Sequence, residues 1–228
     1  NTLFAVGLAG GLLGGVYAIY GTRPLLDPGF RMQKIPNERS GLSSPMGNVF
    51  ERVDPRLQHV AKWILSVGSA VAVADVNNDG LMDVFLTQPL HADGHRAMLM
   101  LNQGNFHFSR HPMPTLERFQ TDYTTTGMPG GGTFVDWDSD GDQDLALAVA
   151  FGSSRLLRNE LNPSGQLTFT DVTEEMGLGG HHVSLAISFL DMNRDAHLDL
   201  LVTNALMTHL QGYPTPTPLN IFALPSPQ

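Results

Sequence analysis

Short apolar runs of about five residues alternate with polar stretches through most of this chain. Ala70-Val-Ala-Val-Ala74 and Asp83-Val-Phe-Leu-Thr87 flank one polar stretch, while Leu145-Ala-Leu-Ala-Val149 and Leu198-Asp-Leu-Leu-Val202 each follow another. Apolar runs of this length between Gly, Asn and Asp predict strands joined by tight loops. Ala97–Asn102 and Arg155–Asn159 predict further strands, each trailed by a short aromatic one at Phe106–Phe108 and Leu167–Thr170. Asn48-Val-Phe-Glu-Arg-Val53 predicts a strand ahead of them all. Gly127-Met-Pro-Gly-Gly-Gly-Thr133 lacks the Lys-Ser/Thr of a phosphate loop and predicts a turn leading into a strand. The fold class expected is all-β, with few helices; 24 Gly and 15 Pro supply the turns.

One segment breaks the pattern. No side chain from Asn1 to Thr22 is charged, and Leu3–Tyr20 is almost wholly apolar or small. A helix of 22 residues reaches roughly 33 Å, against about 30 Å of hydrocarbon in a bilayer. The expectation is one transmembrane helix over 1–22, with Tyr17 and Tyr20 at the interface and Arg23 at its exit; a secretory signal peptide is the alternative. Gly7, Gly11 and Gly15 would let a second membrane helix approach its backbone. Residues 23–47 read as a linker and 48–211 as the repeat domain. Residues 212–228, with Tyr213-Pro-Thr-Pro-Thr-Pro-Leu219, read as an extended tail laid on a neighbour.

Three polar stretches share one pattern: Asp75-Val-Asn-Asn-Asp-Gly-Leu-Met-Asp83, Asp136-Trp-Asp-Ser-Asp-Gly-Asp-Gln-Asp144 and Asp191-Met-Asn-Arg-Asp-Ala-His-Leu-Asp199. They hold half of the 22 acidic residues, so the formal net charge of -9 is concentrated where a cation would neutralise it. Oxygen side chains recur at loop positions 1, 3, 5 and 9: Asp75, Asn77, Asp79 and Asp83; Asp136, Asp138, Asp140 and Asp144; Asp191, Asn193, Asp195 and Asp199. The position-7 residues Leu81, Asp142 and His197 join the candidate sets. Hard oxygen donors in a chain without Cys favour calcium over zinc or copper, and over magnesium, which retains more water. An EF-hand would need Glu at position 12, where this chain has Leu86, Leu147 and Val202, and helices rather than strands as flanks. The second loop, all Asp at its odd positions, ranks first. The third ranks last, because Arg194 adds positive charge and Ala196 replaces the turn glycine of Gly80 and Gly141. Two calcium sites are expected, with the third weak or empty.

These loops and their strands resemble the FG-GAP/VCBS repeats of integrin-α-type β-propellers. Phe169-Thr-Asp-Val-Thr-Glu-Glu-Met-Gly-Leu178 resembles the linker of bacterial proteins related to cartilage acidic protein and the ASPIC/UnbV group. The resemblance covers about Asn48 to Asn204 and implies a partial or open β-propeller of about three four-stranded blades with strand-loop-strand calcium sites. Propellers close with four to eight blades. The arc would therefore be completed by further chain or by partners covering its strand edges.

The expected function is a non-catalytic, membrane-anchored scaffold or docking subunit of a larger membrane complex, energy-converting complexes included. Its partners would be other membrane subunits, met through the Gly-rich helix and the repeat domain. A cell-surface adhesion module is the alternative, and a propeller hydrolase ranks below it, since no nucleophile elbow, zinc-protease motif or dinucleotide fingerprint is present. His91 and His95 fall in a loop and His181-His182 ahead of a strand, and neither pair makes a convincing metal site. The acidic balance argues against nucleic acid. Turn-based calcium sites need the calcium levels found outside the cytosol, which places residues after Arg23 on the extracytoplasmic side, a bacterial periplasm by preference. Arg23, Arg31, Lys34 and Arg39 count the other way.

Overall fold

A computed structural model describes residues 32–59, 61, 69–180 and 182–205 of the chain. The apolar segment 1–22 and the tail 212–228 lie outside the described residues, and among those described no helix is long and apolar enough to cross a membrane. The described part is mostly β. In chain order the strands are β1 (Ala70–Ala74), β2 (Asp83–Thr87), β3 (Ala97–Asn102), β4 (Phe108–His111), β5 (Met128–Val135), β6 (Asp144–Gly152), β7 (Arg155–Asn159), β8 (Phe169–Asp171), β9 (His182–Leu190) and β10 (Asp199–Asn204).

They form two antiparallel sheets, one running β1-β2-β3-β4 and the other β10-β9-β6-β7-β8 with β5 also on β6. Each polar loop closes a hairpin in the same register, pairing Ala74 with Asp83, Val135 with Asp144 and Leu190 with Asp199. The first two repeats are four-stranded meanders and the third is the β9-β10 hairpin. Because β5 lies along one edge of β6 as far as Ala150, β9 takes the other edge, at Ala150 and Gly152, beyond the point where β7 has left it.

Strand β6 is the centre of the packing and is buried along its whole length. Its alternation sorts large from small. Leu145, Leu147 and Val149 point with Phe85, Leu99 and Val76 into the core shared with the first repeat. Ala146 and Ala148 meet Leu156, Val172 and Ile187, with Trp137 stacked on Phe189 at a centroid distance of 5.9 Å. Alanines on that face let β9 and β10 approach, while each leucine on the other contributes roughly 1.5–3 kcal/mol of burial.

Several expectations are corrected. Asn48–Val53 is not a strand: Val49–Arg52 is a 3-10 helix, and its first residue Val49 and the Val53 that follows it are both buried. Those two are four apart, a helical spacing that outweighs the β propensity of the valines. Gly127–Thr133 is not a turn but supplies most of β5. A Cβ at Gly131 would lie 2.9 Å from the Leu185 carbonyl oxygen, and one at Gly132 would lie 3.2 Å from Phe85, so glycine lets this strand fit between the first and third repeats. Phe106 is in a turn at φ +57°, and β4 starts two residues later. Leu167 precedes β8 and packs against the core. Residues 36–47, expected in the linker, fold onto the repeats. Leu42 covers Val84, Met98 and Met100 on the first sheet, and Met46 bridges to His91.

Candidate metal centre

The three polar loops have one backbone structure, held by their own carboxylates. The position-1 Asp accepts at one oxygen from the N–H of position 5 and at the other from that of position 6. In loop 1 these bonds run from Asp79 (3.0 Å) and Gly80 (2.8 Å) to Asp75. In loop 2 they run from Asp140 and Gly141 (3.1 Å each) to Asp136, and in loop 3 from Asp195 (3.1 Å) and Ala196 (3.0 Å) to Asp191. The position-5 carboxylates of Asp79, Asp140 and Asp195 then accept from the N–H of Leu81, Asp142 and His197 at 2.8, 3.0 and 2.8 Å. Position 6 is left-handed in every copy: Gly80 at φ +85°, Gly141 at +94° and Ala196 at +69°. Loop 3 keeps the geometry and carries the strain of an alanine there.

The ninth Asp ties each loop to its strands. Asp83 Oδ2 accepts from Val76 N–H (3.1 Å), Asp144 Oδ2 from Trp137 N–H (3.3 Å) and Asp199 Oδ2 from Met192 N–H (2.9 Å). In the first two repeats the other oxygen accepts from the last residue of the third strand, Asn102 or Asn159, at 2.8 Å. Asp83 and Asp144 are fully buried, whereas Asp199 is only half-buried. These asparagines were missed as site residues. Their signal was the shared Asn that ends both third strands.

Electrostatics separate the loops. Burial, aided by repulsion from Asp138 and Asp142, pushes the Asp144 carboxyl up to about 7, against the backbone N–H groups of Asn159 and Trp137. Burial also raises Asp142 and Asp83. In loop 3 the His197 N–H and the Asn193 side chain hold the exposed Asp195 below its usual range. Loop 2 therefore buries two carboxyls, Asp142 and Asp144, that resist ionising, whereas no acid of loop 3 is fully buried.

Metal-ligating geometry follows the same order. Carboxylate oxygens of Asp136, Asp138 and Asp144 lie within 4.8 Å of one another, the one such group of acidic or His side chains among the described residues. Asp140 and Asp142 fall outside this trio. Asp142 Oδ2 accepts from Asn162 N–H at 2.8 Å, but Asp142 Oδ1 is buried and has no hydrogen-bond partner. Three converging carboxylates, in a loop that also holds a buried carboxylate oxygen without a donor, fit a hard cation. Asp136, Asp138 and Asp144 would hold it, and the ion would supply charge neutralisation and cross-linking of the loop. In loop 1 the same positions carry Asp75, Asn77 and Asp83, with the Asn77 amide donating to Asp79 at 3.0 Å. Loop 3 pairs Asn193 with Asp195 in the same way. The side chain of Leu81 offers no donor atom.

The family model described as FG-GAP-like repeat matches residues 75–147 and again 136–202. Each match runs from one polar loop through the next, the two overlap on loop 2, and together they span more than half of the chain. They do not bear on the narrower likeness of Phe169–Leu178 to the ASPIC/UnbV group. No curated protein matches the chain.

Proposed function

The chain belongs to the FG-GAP-like repeat family, and on that premise we propose that it is a non-catalytic docking scaffold stiffened by calcium at loops 2 and 1. The observation that carries this is the convergence of Asp136, Asp138 and Asp144, in the loop that also holds the unpartnered Asp142 Oδ1. Bound calcium would replace mutual repulsion with cross-links between strand ends, at the place where each hairpin turns. Loop 3, with Arg194 and Ala196, stays weak or empty.

The three repeats act as blades of a partial propeller. In support, β5 lies against both β1 and β9, so the first strands of successive repeats are neighbours. Val71 and Val73 on β1 and Leu185, Leu190 and Leu201 on the third hairpin are exposed, giving partner subunits apolar surface to cover. Residues 1–22 would anchor the scaffold in a membrane whose calcium-rich side receives the repeats.

The test is purification of the full chain from its native membrane in mild detergent, first with calcium and then with a chelator, with every co-purifying chain identified by mass. A defined set of partners released by chelation is the expected result. A partner-free protein indifferent to calcium overturns the proposal.

A further inference from the structure

Asn159 does more than end β7. Its buried side-chain amide donates to two carbonyls, Gln143 of loop 2 at 3.2 Å and Val76 of loop 1 at 3.0 Å, while its oxygen accepts from Leu161 N–H at 3.1 Å. Its backbone N–H holds Asp144 Oδ1. Three residues on, Asn162 holds Asp142 Oδ2 and the Asp140 carbonyl. The stretch 159–162 is thus a clamp on loop 2 that also grips loop 1. Asn102 is its counterpart in the first repeat, donating to the Met82 carbonyl at 3.0 Å and accepting from Gly104 N–H at 2.9 Å, all inside its own repeat. A weaker contact, Asn78 Nδ2 to the Gly141 carbonyl at 3.5 Å, joins the same two loops.

We infer that Asn159 couples the two calcium loops, so that an ion in loop 2 tightens binding at loop 1; this rests on the calcium reading above. Calcium drawn in by Asp144 fixes Asn159 through its N–H, and Asn159 fixes Val76, which is the N–H donor to Asp83 in loop 1. The ions themselves repel each other, so cooperative binding cannot arise from their charges.

The test follows the amides of Gly80 and Gly141 by NMR while the full chain in detergent is titrated with calcium. Asp138→Asn, which gives loop 2 the position-3 asparagine of loop 1, weakens loop 2 by about tenfold, and it is expected to raise the Gly80 midpoint by about threefold or more. In an Asn159→Ala background the same change should move that midpoint by under about twofold, whereas an Asn102→Ala background should leave the full shift. A Gly80 midpoint indifferent to Asp138→Asn overturns the coupling and leaves calcium binding intact. A shift that survives Asn159→Ala overturns the role of Asn159. Wild-type amides that ignore calcium overturn both readings. If Asn159→Ala does not fold, Asn159→Ser, which keeps the backbone N–H and loses the side-chain reach to Val76, takes its place in the same comparison.

Discussion

The backbone N–H of Asn159 sits 2.8 Å from Asp144 Oδ1, and that of Trp137 sits 3.3 Å from Asp144 Oδ2, so both oxygens of a fully buried carboxylate are engaged by the main chain. The ninth loop residue therefore joins three segments as well as facing a metal position. Its two roles are separable by experiment.

Asp144→Asn keeps an oxygen for one of these donors and turns an NH2 group toward the other. An N–H buried without an acceptor costs about 1–3 kcal/mol. At about pH 5, where the folded Asp144 keeps its proton, the variant should lose that much stability in urea unfolding with chelator present, and calcium should no longer stabilise loop 2 at pH 7.

Asp138→Asn should behave differently, because Asp138 is exposed and its charge makes Asp144 and Asp142 harder to ionise. With chelator the variant should be as stable as the parent or slightly more so, since repulsion is relieved. Calcium affinity at loop 2 should fall by about tenfold, as calorimetric titration would read.

The pH dependence follows from Asp144. Its folded value of about 7 stands above the ordinary 3.8, so the folded chain retains a proton that the unfolded chain has released. Where the folded state binds more protons, stability falls as pH rises, here across the window between those two values. Melting temperatures with chelator should therefore decline from pH 4 to pH 7 and level off above. Calcium should abolish the decline, because an ion then takes the place of the proton. A metal-free protein most stable at neutral pH would contradict this.

The hairpins were legible in the sequence because each loop and its strands are contiguous: the pairing of Ala74 with Asp83 follows once the nine-residue pattern is seen. What bridges the repeats was not. Asn159 meets Val76 across 83 positions, and nothing local marks that contact. The glycines of β5 read as a turn because their need for room comes from Phe85 and Leu185, elements of other repeats. Val49 and Val53 were misread for a related reason: β-branched residues suggested a strand, while the core that buries both of them selected a helical turn.

The sorting on β6 makes a prediction in two directions. Leu147→Ala empties the core shared with the first repeat and should cost about 2–5 kcal/mol. Ala148→Leu, one residue on, pushes a large side chain at Ile187 and Val172 and should cost about 1–3 kcal/mol by overpacking. Equal and opposite volume changes are thus both expected to lower the urea midpoint.

Loop 3 offers a substitution expected to stabilise with or without calcium. Ala196 holds φ +69°, where glycines sit at +85° and +94° in the sister loops. A left-handed alanine carries about 1–2 kcal/mol of strain. Glycine removes it but gives back up to about 1 kcal/mol through the greater freedom of the unfolded chain. Ala196→Gly should therefore raise stability by about 0.5–1 kcal/mol in urea unfolding, in calcium and chelator alike. It should not create a strong third site, because Arg194 remains in the loop and Asn193 still pairs with Asp195. If instead the variant gains a third calcium equivalent by calorimetry, the alanine alone kept that site empty, and the charge of Arg194 has no part in it.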